Sequence, residues 1–308
     1  MGAKLYKYLA PDDLDKVFPI DGMCTLKCSY PKDFNDPYEL FLTIDYNQRP
    51  DVLAFYREAI GQIPQYPTTC FSKSPDVVPM WAHYAFNHQG FIIEIDEEKL
   101  SAAFPEASFG DIDYRDTPNE QILEFLYRAN ATCKPRHIYF LQRAVWNAAY
   151  FTKSTLWLYE QEKRMVAHDD DIDNINNLML IRIPIECVTA LIVGYKATEK
   201  NKLDISAIAG QLGCSYYEML VGRSSLKPYF VSPDKAVHSF VYGVITTNDN
   251  LCKTCKEPIT KGNTHCAWCS ISQNHEVKAA ERNFLRRLSE MGMLDKYYKD
   301  MERISKGQ

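Results

Sequence analysis

Four cysteines near the C-terminus, Cys252, Cys255, Cys266 and Cys269, stand in the order C-x2-C-x10-C-x2-C. Each C-x2-C pair forms a knuckle that offers two thiolates to one ion, and two knuckles complete the tetrahedron that zinc requires. With sulfur at all four positions the site is closed to a reacting water, so the expected role is structural. Two redox-active pairs or four unliganded thiols are the competing readings of the same spacing. His265 is a substitute ligand, but directly beside Cys266 the two are poorly placed to share one ion. The other six cysteines are scattered among apolar or strand-like neighbours, as in a reduced chain.

A second concentration of chemistry lies in WLYEQEKRMVA, from Trp157 to Ala167. Read as a strand, it sends Leu158, Glu160, Glu162 and Arg164 to one face. Two carboxylates and an arginine on one face serve either a solvated sheet with cross-strand ion pairs or a cleft. In a cleft, one carboxylate can hold a ligand hydroxyl or stabilise developing positive charge. A third stretch, Cys70 to Asp96, places Met80, Trp81, His83 and Tyr84 on a short helix ahead of a buried strand, GFIIEID. Met80, Trp81 and Tyr84 follow helical spacing and His83 reads as a core histidine. No G-x-S-x-G, P-loop or G-x-G-x-x-G occurs, which argues against a serine hydrolase, a P-loop NTPase and a Rossmann enzyme.

The elements that must position these residues follow from periodicity. Strands are expected at Lys4–Leu9, Met23–Ser29, Tyr38–Tyr46, Pro67–Ser72, Gly90–Asp96, Leu156–His168, Leu178–Pro184, Val188–Gly194 and His238–Thr246. Helices are expected at 50–60, 77–86, 119–131, 136–150, 203–212 and 274–303, the last broken or kinked at Gly292. The last helix carries Val277, Phe284, Leu288 and Met291 as one apolar stripe. This irregular order, with no βαβ periodicity and no internal repeat, indicates an α+β fold. Residues 1–249 form the body, 250–272 the four-cysteine knuckle, and 273–308 a basic helical segment.

Composition sets outer limits. The 308 residues are 46% hydrophobic and 24% charged, ordinary for a globular protein, with a formal charge of −5. That charge argues against nucleic-acid binding over the whole surface. It is unevenly spread, because residues 251–308 hold eleven basic and seven acidic residues. The tail is therefore basic and suits a nucleic-acid partner. No basic segment followed by an apolar run opens the chain, and no apolar run approaches the ~20 residues of a membrane span. A cytoplasmic protein without membrane association is expected.

In combination, LYKYLA, FNDPYE, CFS…MWAHYA…GF and K-x3-W-x2-E-x-E-x-R, between Leu5 and about Tyr242, resemble an uncharacterised bacterial family often found near mobile elements and defence genes. That family is more remotely similar to the ADP-ribosyltransferases of toxin–antitoxin and phage-defence systems. The resemblance implies split antiparallel sheets with flanking helices, NAD as substrate, and a catalytic Glu162 with Glu160 beside it. It further implies NAD contacts from Tyr6, Lys7 and Tyr8 on the first strand, Ser72 after Phe71, Trp81, Tyr84 and Arg164. Lys7 stands where those enzymes carry His or Arg. The activity implied is transfer of ADP-ribose, to RNA in preference or otherwise to DNA or protein, by a toxin or antiphage effector with an antitoxin or regulatory partner. A non-catalytic zinc-dependent nucleic-acid-binding protein is the alternative, and a metal-dependent nuclease using Glu160 and Glu162 a further one.

Overall fold

The computed structural model describes residues 2–19, 22–36 and 43–306. The chain divides into two compact units, Met1–Val221 with Lys227–Thr247, and Gly222–Leu226 with Asn248–Gln308. No helix among the described residues is long and apolar enough to cross a membrane.

The first unit is α+β, and most of its strand pairs are antiparallel. Its main sheet has ten strands, and Lys4–Leu9 lies inside it between Phe91–Asp96 and Thr68–Ser72. On one side of this pair the sheet continues through Glu162–Val166 to Ser108–Asp111. On the other it continues through Val188–Val193, Ser215–Leu220 and Tyr229–Val231 to the hairpin Val237–Val241 and Val244–Thr247. Val188–Val193 and Ser215–Leu220 run parallel, joined by the helix Glu199–Leu212, so one βαβ unit is embedded in an otherwise antiparallel sheet. Lys4–Leu9 is in register with Phe91–Asp96 along its whole length, but with Thr68–Ser72 only at Tyr6 and Ser72. The sheet is thus pinched at that pair.

Alternation of side chains gives the main sheet two faces. Leu5, Phe71, Ile93, Met165 and Leu191 point to one face, where they pack on Leu26, Ile181 and Ile183 of a second sheet, Met23–Cys28, Leu178–Pro184 and Ile172–Ile175. Tyr6, Tyr8, Ile92 and Ile192 point to the opposite face, under the helix Val78–His83 that carries Met80 and Trp81. A separate helical core joins Pro50–Ile60, Glu120–Thr132 and Pro135–Phe151 through Val52, Tyr56, Leu126, Leu141 and Val145.

Three expected elements take another form. The segment expected as one strand from Leu156 is a 3-10 turn, Thr155–Glu160, followed by the strand Glu162–Val166. Ser154 caps the turn by accepting from Leu156 N–H, and Gln161 ends it with φ +47°. Leu156 and Leu158 are consequently exposed, so the period-two pattern there never belonged to a sheet. The expected strand His238–Thr246 is a hairpin, because Tyr242 and Gly243 adopt φ of +51° and +84°. The long C-terminal helix is three helices, Gln273–Arg282, Phe284–Glu290 and Leu294–Ser305, with Gly292 at φ +67° in the second break. Of its expected apolar stripe only Leu288 is buried, since the breaks at Asn283 and Met291–Met293 rotate the faces out of line. Most of the expected strand Tyr38–Tyr46, with Pro37 to Glu39 of FNDPYE, lies outside the described residues.

The strand ends leave no room for side chains at Gly90 and Gly194. A Cβ on Gly90 would stand 2.0 Å from the Leu9 carbonyl oxygen, and one on Gly194 would stand 2.2 Å from that of His88. Gly210, in contrast, sits in a helix with open space around it. Gly90→Ala is expected to destabilise the protein by about 1–3 kcal/mol through overpacking, whereas Gly210→Ala is expected to stabilise it by roughly 0.5–1 kcal/mol. Urea denaturation of the two variants checks both signs.

Candidate active site

Strand register assembles a row that crosses four strands. Glu94 pairs with Tyr6, Tyr6 with Ser72, and Ser72 with Glu162. Paired residues on adjacent strands project to the same face, so Glu94, Tyr6, Ser72 and Glu162 line up across the pinch. All four are buried. Tyr8 and Arg164, two residues along their strands, share the face. Lys7 projects to the other face, where its ammonium donates to Thr69 Oγ1 and the Cys70 carbonyl. The structure therefore separates Lys7 from the other residues expected to contact NAD.

A closed ionic cluster surrounds Glu162. Lys153 Nζ lies 2.6 Å from Glu160 Oε2 and 3.0 Å from Glu162 Oε2. Arg164 donates from Nε to Glu162 Oε1 at 2.8 Å and from one terminal nitrogen to the Tyr150 carbonyl at 2.7 Å. Tyr84 Oη donates to Glu160 Oε1 at 2.6 Å, and Tyr114 Oη accepts from the Glu162 backbone N–H at 2.8 Å. The Arg164 guanidinium also faces the Phe34 ring at 4.7 Å, and Lys153 faces Trp157 at 4.7 Å. Glu160 and Glu162 do share a neighbourhood, as the sequence suggested, but not as alternate residues of one strand. Glu160 closes the 3-10 turn, and the left-handed Gln161 returns the chain so that both carboxylates meet Lys153.

Burial governs protonation here. It raises the Glu160 carboxyl above its ordinary value, with Glu162 adding to the shift and Lys153 opposing it. Burial alone would lower the Lys153 ammonium, but Glu162 and Glu160 outweigh it and hold the group above its ordinary value. Burial lowers the Arg164 guanidinium, with Asp36 opposing, and raises the Tyr84 phenol, with Glu160 adding. The Tyr6 phenol is likewise raised by burial and by the Glu94 carboxylate beside it. Trp81 packs edge-on against Tyr8 at 5.4 Å and donates from Nε1 to the Pro75 carbonyl at 2.8 Å.

Chemically, this is a carboxylate with fixed orientation rather than a free base. Two cations bind Glu162, one at each oxygen, so its orientation is fixed from both sides. Among the described residues, the group of His, Cys, Asp or Glu side chains able to converge on an ion is the cysteine quartet. Lys153, Tyr114 and Glu94 were not singled out in the sequence. Lys153 had a local signal, since it opens the motif K-x3-W-x2-E-x-E-x-R. Glu94 is brought in by long-range pairing and had none.

Residues 80–165 match the sequence model of a family described as "Protein of unknown function (DUF2971)". The uncharacterised family expected from the motifs is matched over this stretch, which includes Trp81, Tyr84, Lys153, Glu160, Glu162 and Arg164. No curated protein matches the chain. Among solved structures, Thermus sp. 2.9 DarT in complex with ADP-ribosylated ssDNA is similar at 12% identity, over 69% of this chain and 90% of that chain, with a TM-score of 0.29.

In the second unit the four cysteine sulfurs lie within 4.8 Å of one another. Cys255 and Cys266 Sγ are 3.7 Å apart, against about 3.8 Å for two thiolates at ~2.3 Å from one tetrahedral zinc. Cys252 and Cys266 are buried, and the Cys269 N–H donates to Cys266 Sγ at 3.3 Å. Desolvation pushes the Cys252 thiol up, but hydrogen bonds from the backbone of Cys255, Cys266 and Thr254 outweigh it and bring the thiol down to about 6. His265 hydrogen-bonds Thr264 and is not one of the four converging groups. Glu257 closes the knuckle by accepting from Arg223 N–H and Ser224 Oγ, each at 2.7 Å.

The raised Glu160 carboxyl has a defined consequence for stability. The folded chain keeps this proton above pH 4.5, the ordinary value, where the unfolded chain loses it. The contribution of Glu160 is thus fully present below pH 4.5 and is lost as pH rises through the folded value. The unfolding free energy of Glu160→Gln is expected to improve relative to wild type as pH is raised from acidic to neutral. Urea titrations at several pH values test this, and a difference that stays flat or moves the other way contradicts it.

Proposed function

We propose that the first unit is an ADP-ribosyltransferase that consumes NAD and acts as a toxin or antiphage effector on a nucleic acid or protein. The observation that supports it best is the cross-strand row at the pinch, which ends in a carboxylate locked by Arg164 and Lys153. Breaking the nicotinamide–ribose bond develops positive charge on the ribose, and a preoriented carboxylate stabilises such charge without reorganising. In this reading Glu162 holds the ribose 2′-hydroxyl and faces the cation. Glu160, fixed by Tyr84, lies ready to accept the acceptor's proton. Tyr6, Tyr8, Ser72 and Trp81 shape the floor. Arg164 acts indirectly by orienting Glu162, and Lys7 supports the sheet from its far side.

The second unit, in the same proposal, is stapled by one zinc ion on Cys252, Cys255, Cys266 and Cys269, and its excess of basic residues suits a nucleic-acid partner. A binding protein without catalysis remains the alternative because that unit could suffice for it. Nuclease chemistry is disfavoured, since Lys153 and Arg164 already neutralise both glutamates.

Labelled NAD incubated with the protein and cell lysate, followed by nuclease or protease digestion, tests the activity and identifies the acceptor class. Glu162→Gln is expected to reduce label transfer by about a hundredfold or more. Transfer at the wild-type rate in that variant, or no NAD consumption by the wild type, refutes the assignment. Metal analysis is expected to find one zinc per chain, lost in Cys266→Ser. Chelation should make the second unit sensitive to protease. Retention of zinc by a Cys252→Ser, Cys266→Ser double variant would sink the proposed ligand set.

A further inference from the structure

A cavity of about 340 Å³ opens away from Glu162, at the far end of the same strand, beside Val166 and His168. Its wall is one stripe of the helix Pro135–Phe151, formed by Tyr139, Gln142, Arg143 and Trp146. These positions follow i, i+3, i+4, i+7 spacing, and the stripe beside them, Leu141, Val145 and Ala148, fills the helical core. The helix therefore has two occupied faces, one for packing and one lined with aromatic and polar groups. Tyr66 also lines the cavity.

The chemistry of this wall is selective. The Arg143 guanidinium lies over the Trp146 ring at 5.4 Å and makes no ion pair among the described residues, and Glu106 is the one carboxylate on the same lining. Trp146 is itself held by Tyr150 at 4.9 Å and by Phe151 at 5.8 Å, so the indole is fixed before anything binds. Gln142 spends its Nε2 donor on the Ala59 carbonyl at 2.7 Å, which fixes the amide and leaves Oε1 to accept. Flat aromatic and guanidinium surfaces, the Arg143 cation and a fixed acceptor answer the parts of a nucleotide in turn: a π-face, a phosphate and an exocyclic amine. The volume is near the lower end of the roughly 300–1,000 Å³ usual for small-molecule sites, which favours one nucleotide unit over a dinucleotide.

We propose that this cavity binds a single nucleotide unit, its base stacked against Tyr139 and the Arg143–Trp146 pair and its phosphate on Arg143. The unit belongs either to a free mononucleotide or to a single strand lying across the helix. The inference does not depend on ADP-ribose transfer, because binding is read without NAD.

The test uses the full chain and follows anisotropy of a short labelled single-stranded oligonucleotide of mixed sequence, with adenosine and cytidine 5′-monophosphates as competitors. Tyr139 and Arg143 are exposed, so their substitution spares the core. Arg143→Ala and Tyr139→Ala are each expected to weaken oligonucleotide binding tenfold or more. Arg143→Lys, which keeps the charge and loses the plane, should fall between wild type and Arg143→Ala. Competition by mononucleotides at the same site assigns the free ligand, and its absence assigns the strand. The proposal is overturned if neither probe binds. It is equally overturned if both alanine variants bind as wild type does, including the case where Lys278→Glu in the basic tail alone abolishes affinity.

Discussion

Lys153 bridges two carboxylates that would otherwise repel each other in a buried site, and the arrangement of the candidate site depends on that bridge. Four charged side chains, Lys153, Glu160, Glu162 and Arg164, are each almost wholly excluded from solvent. Their charges cancel. Desolvating ions costs several kcal/mol each, and a buried network of this kind rarely stabilises a fold better than apolar packing of the same shape. Its retention in the interior is therefore more readily explained by what the charges do than by stability. Truncating one member exposes the rest to an uncompensated field, which makes the cluster an all-or-none feature.

The cluster also needs the pinch in the sheet. If Lys4–Leu9 and Thr68–Ser72 were in register along their length, the face above Ser72 would be an ordinary flat sheet surface. With pairing confined to Tyr6 and Ser72, the strands diverge on either side of the row. Tyr8 then reaches the Ser74 carbonyl, its hydroxyl donating at 2.8 Å, and Trp81 fits against its ring. The polar row thus has an aromatic floor on one flank and the ionic cluster on the other. That contrast in polarity suits a ligand with both a flat heterocycle and hydroxyl groups.

What could be read from the sequence divides along the distance over which the signal acts. The cysteine quartet is legible because its spacing is local and its ligand chemistry is demanding. The α+β class, the strands Lys4–Leu9 and Phe91–Asp96 and the helix Pro50–Ile60 are legible for a similar reason, since periodicity over five or more residues reflects the face each element buries. Glu160 and Glu162 were correctly brought together by a mistaken geometry. A period-two pattern cannot distinguish a strand from a capped turn that reverses at a left-handed residue, and Gln161 carries no glycine-like warning of its φ. Glu94 was unreadable for a different reason: its neighbours across the row, Tyr6 and Ser72, depend on pairings that only the assembled sheet specifies.

The way Glu162 is held also limits the chemistry open to it. A carboxylate that serves as a nucleophile or general base needs a lone pair free to approach the reacting atom, with a proton affinity near the working pH. Here both oxygens already accept from cations, Oε1 from Arg164 and Oε2 from Lys153. The charge can still act through space, and its orientation is set before a substrate arrives. Glu160 differs, because one oxygen faces Lys153 and the other accepts from a neutral phenol, and burial raises its carboxyl. Of the pair, Glu160 is the one whose surroundings favour exchange of a proton, and Glu162 the one whose two oxygens both accept from cations. Two carboxylates held by such different partners can divide electrostatic stabilisation and proton transfer between them.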